Sequence, residues 1–118
     1  MIRKTVRRMV VLITGFLMGF SVVSGQDVEA GKVVYDKWCA ECHGIDGLGD
    51  GSAATTMLPR PRDFSQARYQ IRTTGSGQLP TDDDLRLAIQ EGLPGTTMPG
   101  WPNLSGPETE DVIAYVKS

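Results

Sequence analysis

Both cysteines of this chain and its only histidine fall in one short stretch, YDKWCAECHG, residues 35–44. Nothing else in the sequence constrains the fold as tightly. Read as W-C-x-x-C, the stretch is the redox dithiol of a thiol–disulfide exchanger. That chemistry needs a buried strand leading into the cysteines and a helix starting at them, because a helix N-terminus lowers a thiol pKa. Read as C-x-x-C-H, it needs the cysteines on one helical turn with the histidine beside them. The residues around Cys39, Cys42 and His43 decide between the two.

Val28, Gly31, Tyr35, Trp38/Cys39 and Cys42 recur at three and four residues, a helical stripe over Asp27 to Cys42. Asp27 suits its N-cap and Gly44 its end. The cysteines therefore sit at a helix C-terminus, the wrong end for a reactive thiolate. A tetrahedral zinc site would lack a fourth ligand. A disulfide between residues so close would close too small a loop to add much stability. The remaining reading uses all three side chains. Two thiols one helical turn apart add to the vinyl groups along one edge of a porphyrin, and the adjacent His43 donates an imidazole nitrogen to the iron. The expected cofactor is one covalently attached haem c.

From Ile45 to Pro80 no period is sustained, and "GIDGLGDGS", "MLPRPRDF" and "TTGSGQLP" are rich in turn residues. A loop of that length in a small domain is functional or wrapped around something. Order returns at "TDDDLRLAIQEG". There Thr81 caps, Asp82, Asp83 and Asp84 meet the helix dipole, Leu85, Ala88 and Ile89 form the apolar face, and Gly92 stops the helix. In "SGPETEDVIAYVKS", Ser105 with Glu108 reads as a capping box ahead of the packing residues Val112, Ile113, Tyr115 and Val116. With no β-alternation and no repeat, the fold is expected to be all-α.

The first 25 residues read differently. Arg3, Lys4, Arg7 and Arg8 precede an uncharged apolar run from Met9 to about Val23, shorter than the roughly 20 residues of a spanning helix. This is a secretory signal in form, with cleavage expected after Gly25 and a membrane anchor the alternative. It leaves a domain over residues 26–118, exported to the periplasm, where haem attachment takes place in bacteria. Losing four cations and no acid takes the net charge from −2 to −6. Such a domain has no basic stripe for nucleic acid, and it is expected to dock on a basic surface of a redox partner.

With one histidine spent, a second axial ligand is expected to be a thioether. Beyond the signal only Met57 and Met98 remain. Met98 lies in "GLPGTTMPGW", where Pro99 favours an extended chain and glycines let backbone approach a flat ligand. Met57, close after His43, reads as packing. Iron bound by both His43 and Met98 has no open position, which points to electron transfer rather than an enzyme.

"YDKWCAECHG", "GTTMPGW" and the closing "VIAYVKS" together resemble a single-haem class I cytochrome c over about Val28 to Lys117. The resemblance implies three main helices, with long loops wrapped around the haem. It also implies a close crossing of the first and last helices, Gly31 and Tyr35 meeting the region of Tyr115. A proline carbonyl, from Pro59 or Pro61, would accept from His43. Arg60, Arg62, Tyr69, Arg72 and Trp101 are candidates for haem carboxylates or the pocket lip. The function implied is a shuttle of single electrons between redox proteins. The alternatives are a haem subunit of one oxidoreductase complex and a periplasmic thiol–disulfide protein.

Overall fold

Asp27 opens the first helix, its carboxylate accepting from the backbone N–H groups of Glu29 at 2.9 Å and Ala30 at 3.1 Å, two donors the helix itself leaves unpaired. The computed structural model describes residues 25–118, so the expected export segment lies, but for Gly25, outside the described residues. Helix α1 spans Val28–Trp38, α2 Ala40–His43, α3 Asp82–Glu91 and α4 Gly106–Lys117. Two 3₁₀ turns, Ala54–Thr56 and Phe64–Gln66, interrupt the long connection between α2 and α3. Among the described residues there is no strand, and no helix is long and apolar enough to cross a membrane.

The helix expected to run unbroken to Cys42 breaks at Cys39, which sits at φ −115°, ψ −34°. The N–H groups of Cys42 and His43 both donate to the Cys39 carbonyl, at 3.1 and 2.9 Å, so α2 is a fresh, tight turn. Periodicity missed the break because good helix formers flank it on both sides.

α1 crosses α4 at Gly31. A Cβ there would run into the Asp111 carbonyl and lie 2.9 Å from the Cβ of Tyr115, so only glycine permits this approach. One turn on, the Tyr35 ring packs on Tyr115 with centroids 5.1 Å apart. Its buried hydroxyl donates to the Gly44 carbonyl at 2.7 Å, tying the end of α2 to the crossing. Val34, Tyr35, Ala54, Val112 and Ile113 form the buried core, each large side chain contributing about 1.5–3 kcal/mol.

α3 and α4 begin at the expected caps Thr81 and Ser105; the Ser105–Glu108 capping box is as expected, and Thr81 forms a second one with Asp84. They are cross-linked on their polar faces by Arg86–Glu110 at 2.6 Å and Lys117–Asp82 at 2.5 Å. Solvent screens such partly exposed pairs, so they contribute little to stability. No residue of α3 is fully buried. Its apolar side chains Leu85, Ala88 and Ile89 instead form a wall of the cleft described next.

Candidate functional site

Gly44, at φ +82°, turns the chain out of α2, and the following loop folds straight back under it. Gly49 donates to the His43 carbonyl at 2.8 Å and Gly51 to that of Cys42 at 3.2 Å. A Cβ on Gly49 would stand 2.6 Å from the Pro61 carbonyl oxygen, so this glycine lets residues 61–64 lie against the loop. That contact places the Arg62 carbonyl 3.1 Å from Nδ1 of His43. A carbonyl can only accept, so Nδ1 carries the proton and Nε2 is left with its lone pair. Burial holds the imidazole below its ordinary pKa, against the opposing pull of the Arg62 carbonyl. The result is a neutral imidazole with a fixed tautomer, the form a metal requires.

The acceptor is thus Arg62, not Pro59 or Pro61. Both prolines line the cleft, but the register of residues 61–63 against Gly49 selects the carbonyl after them.

Cys39, Cys42 and His43 open onto one cleft, as do Met57 and Met98. Both thiols are free. Burial pushes the Cys39 thiol up to about 11 and raises that of Cys42 as well. Neither is activated as a thiolate, so the dithiol reading loses its chemistry. The rest of the wall is largely apolar, from Leu85, Ala88 and Ile89 of α3 and Val112 and Val116 of α4. The cleft encloses a cavity of about 200 Å³ and is partly open to solvent.

Met98 is carried by a loop pinned to the end of α3. Trp101 donates to the Ile89 carbonyl at 2.8 Å, Leu93 donates to the Met98 carbonyl at 3.2 Å, and the Met98 N–H donates to the Thr96 hydroxyl at 3.1 Å. Gly92 and Gly100 are pressed together, a Cβ on Gly92 lying 2.6 Å from the Gly100 nitrogen.

Arg60, Arg62, Tyr69 and Trp101 line the cleft, Trp101 packing on Trp38 with centroids 5.3 Å apart. Arg72 does not line it. Its guanidinium is held by the backbone carbonyls of Tyr69 and Gly75, the latter at 3.1 Å, so it braces the loop instead. Sequence reasoning missed Phe64, Gln70 and Ile71, which also line the wall. An aromatic directly after the PRPRD run was the available signal for Phe64.

Apolar walls, two thiols, a metal-competent imidazole and thioether sulfurs in one cleft fit a flat hydrophobic macrocycle with a central iron. Residues 28–118 match the family described as Cytochrome c. The chain belongs to that family. It is 29% identical to a "Cytochrome c" of Tetrahymena pyriformis over 98 residues, 78% of this chain and 88% of the relative. It is also similar to a chain of the reducing HAO-like protein complex of Kuenenia stuttgartiensis, 46% identical with a TM-score of 0.72. That match covers 75% of this chain, which spans only 40% of the Kuenenia chain. Membership makes this a small all-helical cytochrome c fold with a covalently attached haem c, and haem-based electron transfer its work.

Proposed function

We propose that this cytochrome c is an exported, periplasmic carrier of single electrons, its haem attached through Cys39 and Cys42 and its iron held by His43 and Met98. The observation that carries this reading is that His43 and Met98, far apart in sequence, reach one apolar cleft on separately braced segments. When bound, haem supplies a one-electron redox couple. The chain supplies everything that tunes it. His43 presents an Nε2 lone pair while Nδ1–H is held by Arg62, which keeps the imidazole electron-rich. Met98 presents a soft thioether, a ligand that raises the potential. Leu85, Ala88, Ile89 and Val112 exclude water from the wall, disfavouring the extra charge of the oxidised state.

His43 and Met98 would both hold the iron, leaving no place on it for a substrate, so the reading is that of a carrier rather than an enzyme. Electrons then leave through the open mouth of the cleft in a brief encounter with a partner. A net charge of −6 after export steers the molecule as a whole toward basic partners.

A second reading is favoured by the 46% identity to a chain of a multi-protein redox complex. In that reading the chain is a resident haem subunit of one oxidoreductase rather than a mobile shuttle. Gel filtration of the native periplasmic fraction, followed by haem absorbance, separates them. A carrier elutes at the mass of a single small domain, whereas a resident subunit elutes with its enzyme. Intact mass of the same fraction tests export, a species starting at Gln26 being expected and one retaining residues 1–25 contradicting cleavage.

A further inference from the structure

The Nδ1–H bond to Arg62 fixes the direction in which the His43 ring points, but not the tilt of its plane. Hydrogen bonds to a carbonyl tolerate a broad range of out-of-plane angles. A second contact removes that freedom. The Phe64 ring lies flat on His43, centroids 4.5 Å apart and planes within 18°. Phe64 in turn stacks with Tyr69, at 6.0 Å and 15°.

Phe64 has little freedom to move. Its N–H donates to the Gly47 carbonyl at 2.7 Å, and Gly47 stands at φ +70° with its face toward the ring, a Cβ there falling 3.3 Å from Cδ2 of Phe64. Gly47 belongs to the same loop whose first residue, Gly44, is tied to α1 by the Tyr35 hydroxyl. The loop that follows His43 therefore returns two constraints on its ring through one segment, the Arg62 carbonyl and the Phe64 face.

We propose that Phe64 is a positioning residue that sets the plane of the His43 imidazole. The inference rests on the reading of His43 as an iron ligand and adds to it the device that orients the ligand. The ring plane matters because imidazole donates through an orbital with direction, so rotating the plane changes how the iron's d orbitals split. A filler of equal volume without a flat face would preserve packing and lose the orientation.

The test uses the full holo-protein with three substitutions. Phe64→Leu removes the flat face, Phe64→Tyr keeps it, and Ile113→Val thins the core at a fully buried residue that does not line the cleft. The readouts are the g-anisotropy of the oxidised iron by electron paramagnetic resonance, the midpoint potential, and the thermal midpoint. Phe64→Leu is expected to shift the g-values and the potential while the haem stays attached and six-coordinate. Phe64→Tyr should restore the wild-type signature, and Ile113→Val should lower the thermal midpoint without moving either spectroscopic readout. Wild-type g-values and potential in Phe64→Leu would overturn the proposal and leave the assignment of His43 standing. If Phe64→Leu does not fold, Gly47→Ala, which pushes on the same ring, must give the shift, and an unchanged signature there overturns it equally. A wild-type protein without histidine ligation overturns this proposal and the functional reading together.

Discussion

Met57 and Met98 face the same cleft, but the chain holds them very differently. Met57 hangs from the end of a 3₁₀ turn by one bond, its N–H to the Ala54 carbonyl at 3.2 Å. Beyond it Leu58 is 83% exposed. Met98 is framed on both sides, by Leu93 and Thr96 before it and by Trp101 on Ile89 after it, with Gly92 and Gly100 locking the frame to α3. A metal ligand must be delivered at a fixed distance without strain, and only a braced segment does so. Two side chains of identical chemistry in one cleft are thus separated by their backbones.

The largest expected effect shows that attachment is independent of either methionine. Replacing Cys39 and Cys42 together with Ala should abolish covalent haem, so that acidified organic solvent extracts it completely. Met98→Ala and Met57→Ala should both keep it in the protein. Extraction from Met98→Ala would mean that the thioether, not the thiols, retains the haem.

The frames themselves come next. Gly100→Val drives a side chain against the Gln90 carbonyl, where even a Cβ would stand at 2.6 Å. It should cost about 1–3 kcal/mol and weaken methionine ligation. In the other segment Thr56→Ala removes only an exposed hydroxyl bonded to the Ala53 carbonyl at 3.0 Å, and should stay within roughly 0.5 kcal/mol. Chemical denaturation, with the iron–thioether signal followed in parallel, checks both. Equal effects would remove the distinction between the segments.

The same contrast explains what could be read from the sequence. The caps Asp27, Thr81 and Ser105 and the terminators Gly44 and Gly92 are local signals, and each acts as its residue type suggests, whereas the α1–α4 contact at Gly31 came only from the family resemblance. The candidate attachment residues could be named because five adjacent letters carry them. Apart from the break at Cys39, what was not legible lies in residues 45–80, where no period governs the backbone and register is set by contacts between distant glycines and turns. Gly49 against Pro61 chose Arg62 over the prolines, and Gly47 aimed Phe64 at His43. Arg72 looked like a carboxylate binder by residue type, yet two backbone carbonyls claim it.

The smallest effect is with pH. Lys117 holds the Asp82 carboxyl, Arg86 that of Glu110 and Ser105 that of Glu108, all below their ordinary values of 3.8 and 4.5. A carboxylate whose folded pKa is depressed contributes stability above its unfolded pKa and loses it as pH falls through the folded one. Stability should therefore be flat near neutrality and decline only slightly below about 4.5, because solvent screens these pairs. Thermal midpoints across that range measure it. Because the Lys117–Asp82 and Arg86–Glu110 pairs join α3 to α4, the Met98 frame should loosen with them while attachment persists.

The central claim is that His43 and Met98 together close the iron, and carbon monoxide binding to the reduced protein tests it most directly. The wild-type protein and Met57→Ala should leave the reduced spectrum unchanged under carbon monoxide, whereas Met98→Ala should bind it readily and show a lowered midpoint potential. Rapid carbon monoxide binding by the wild-type protein, or by Met57→Ala in place of Met98→Ala, would contradict the account.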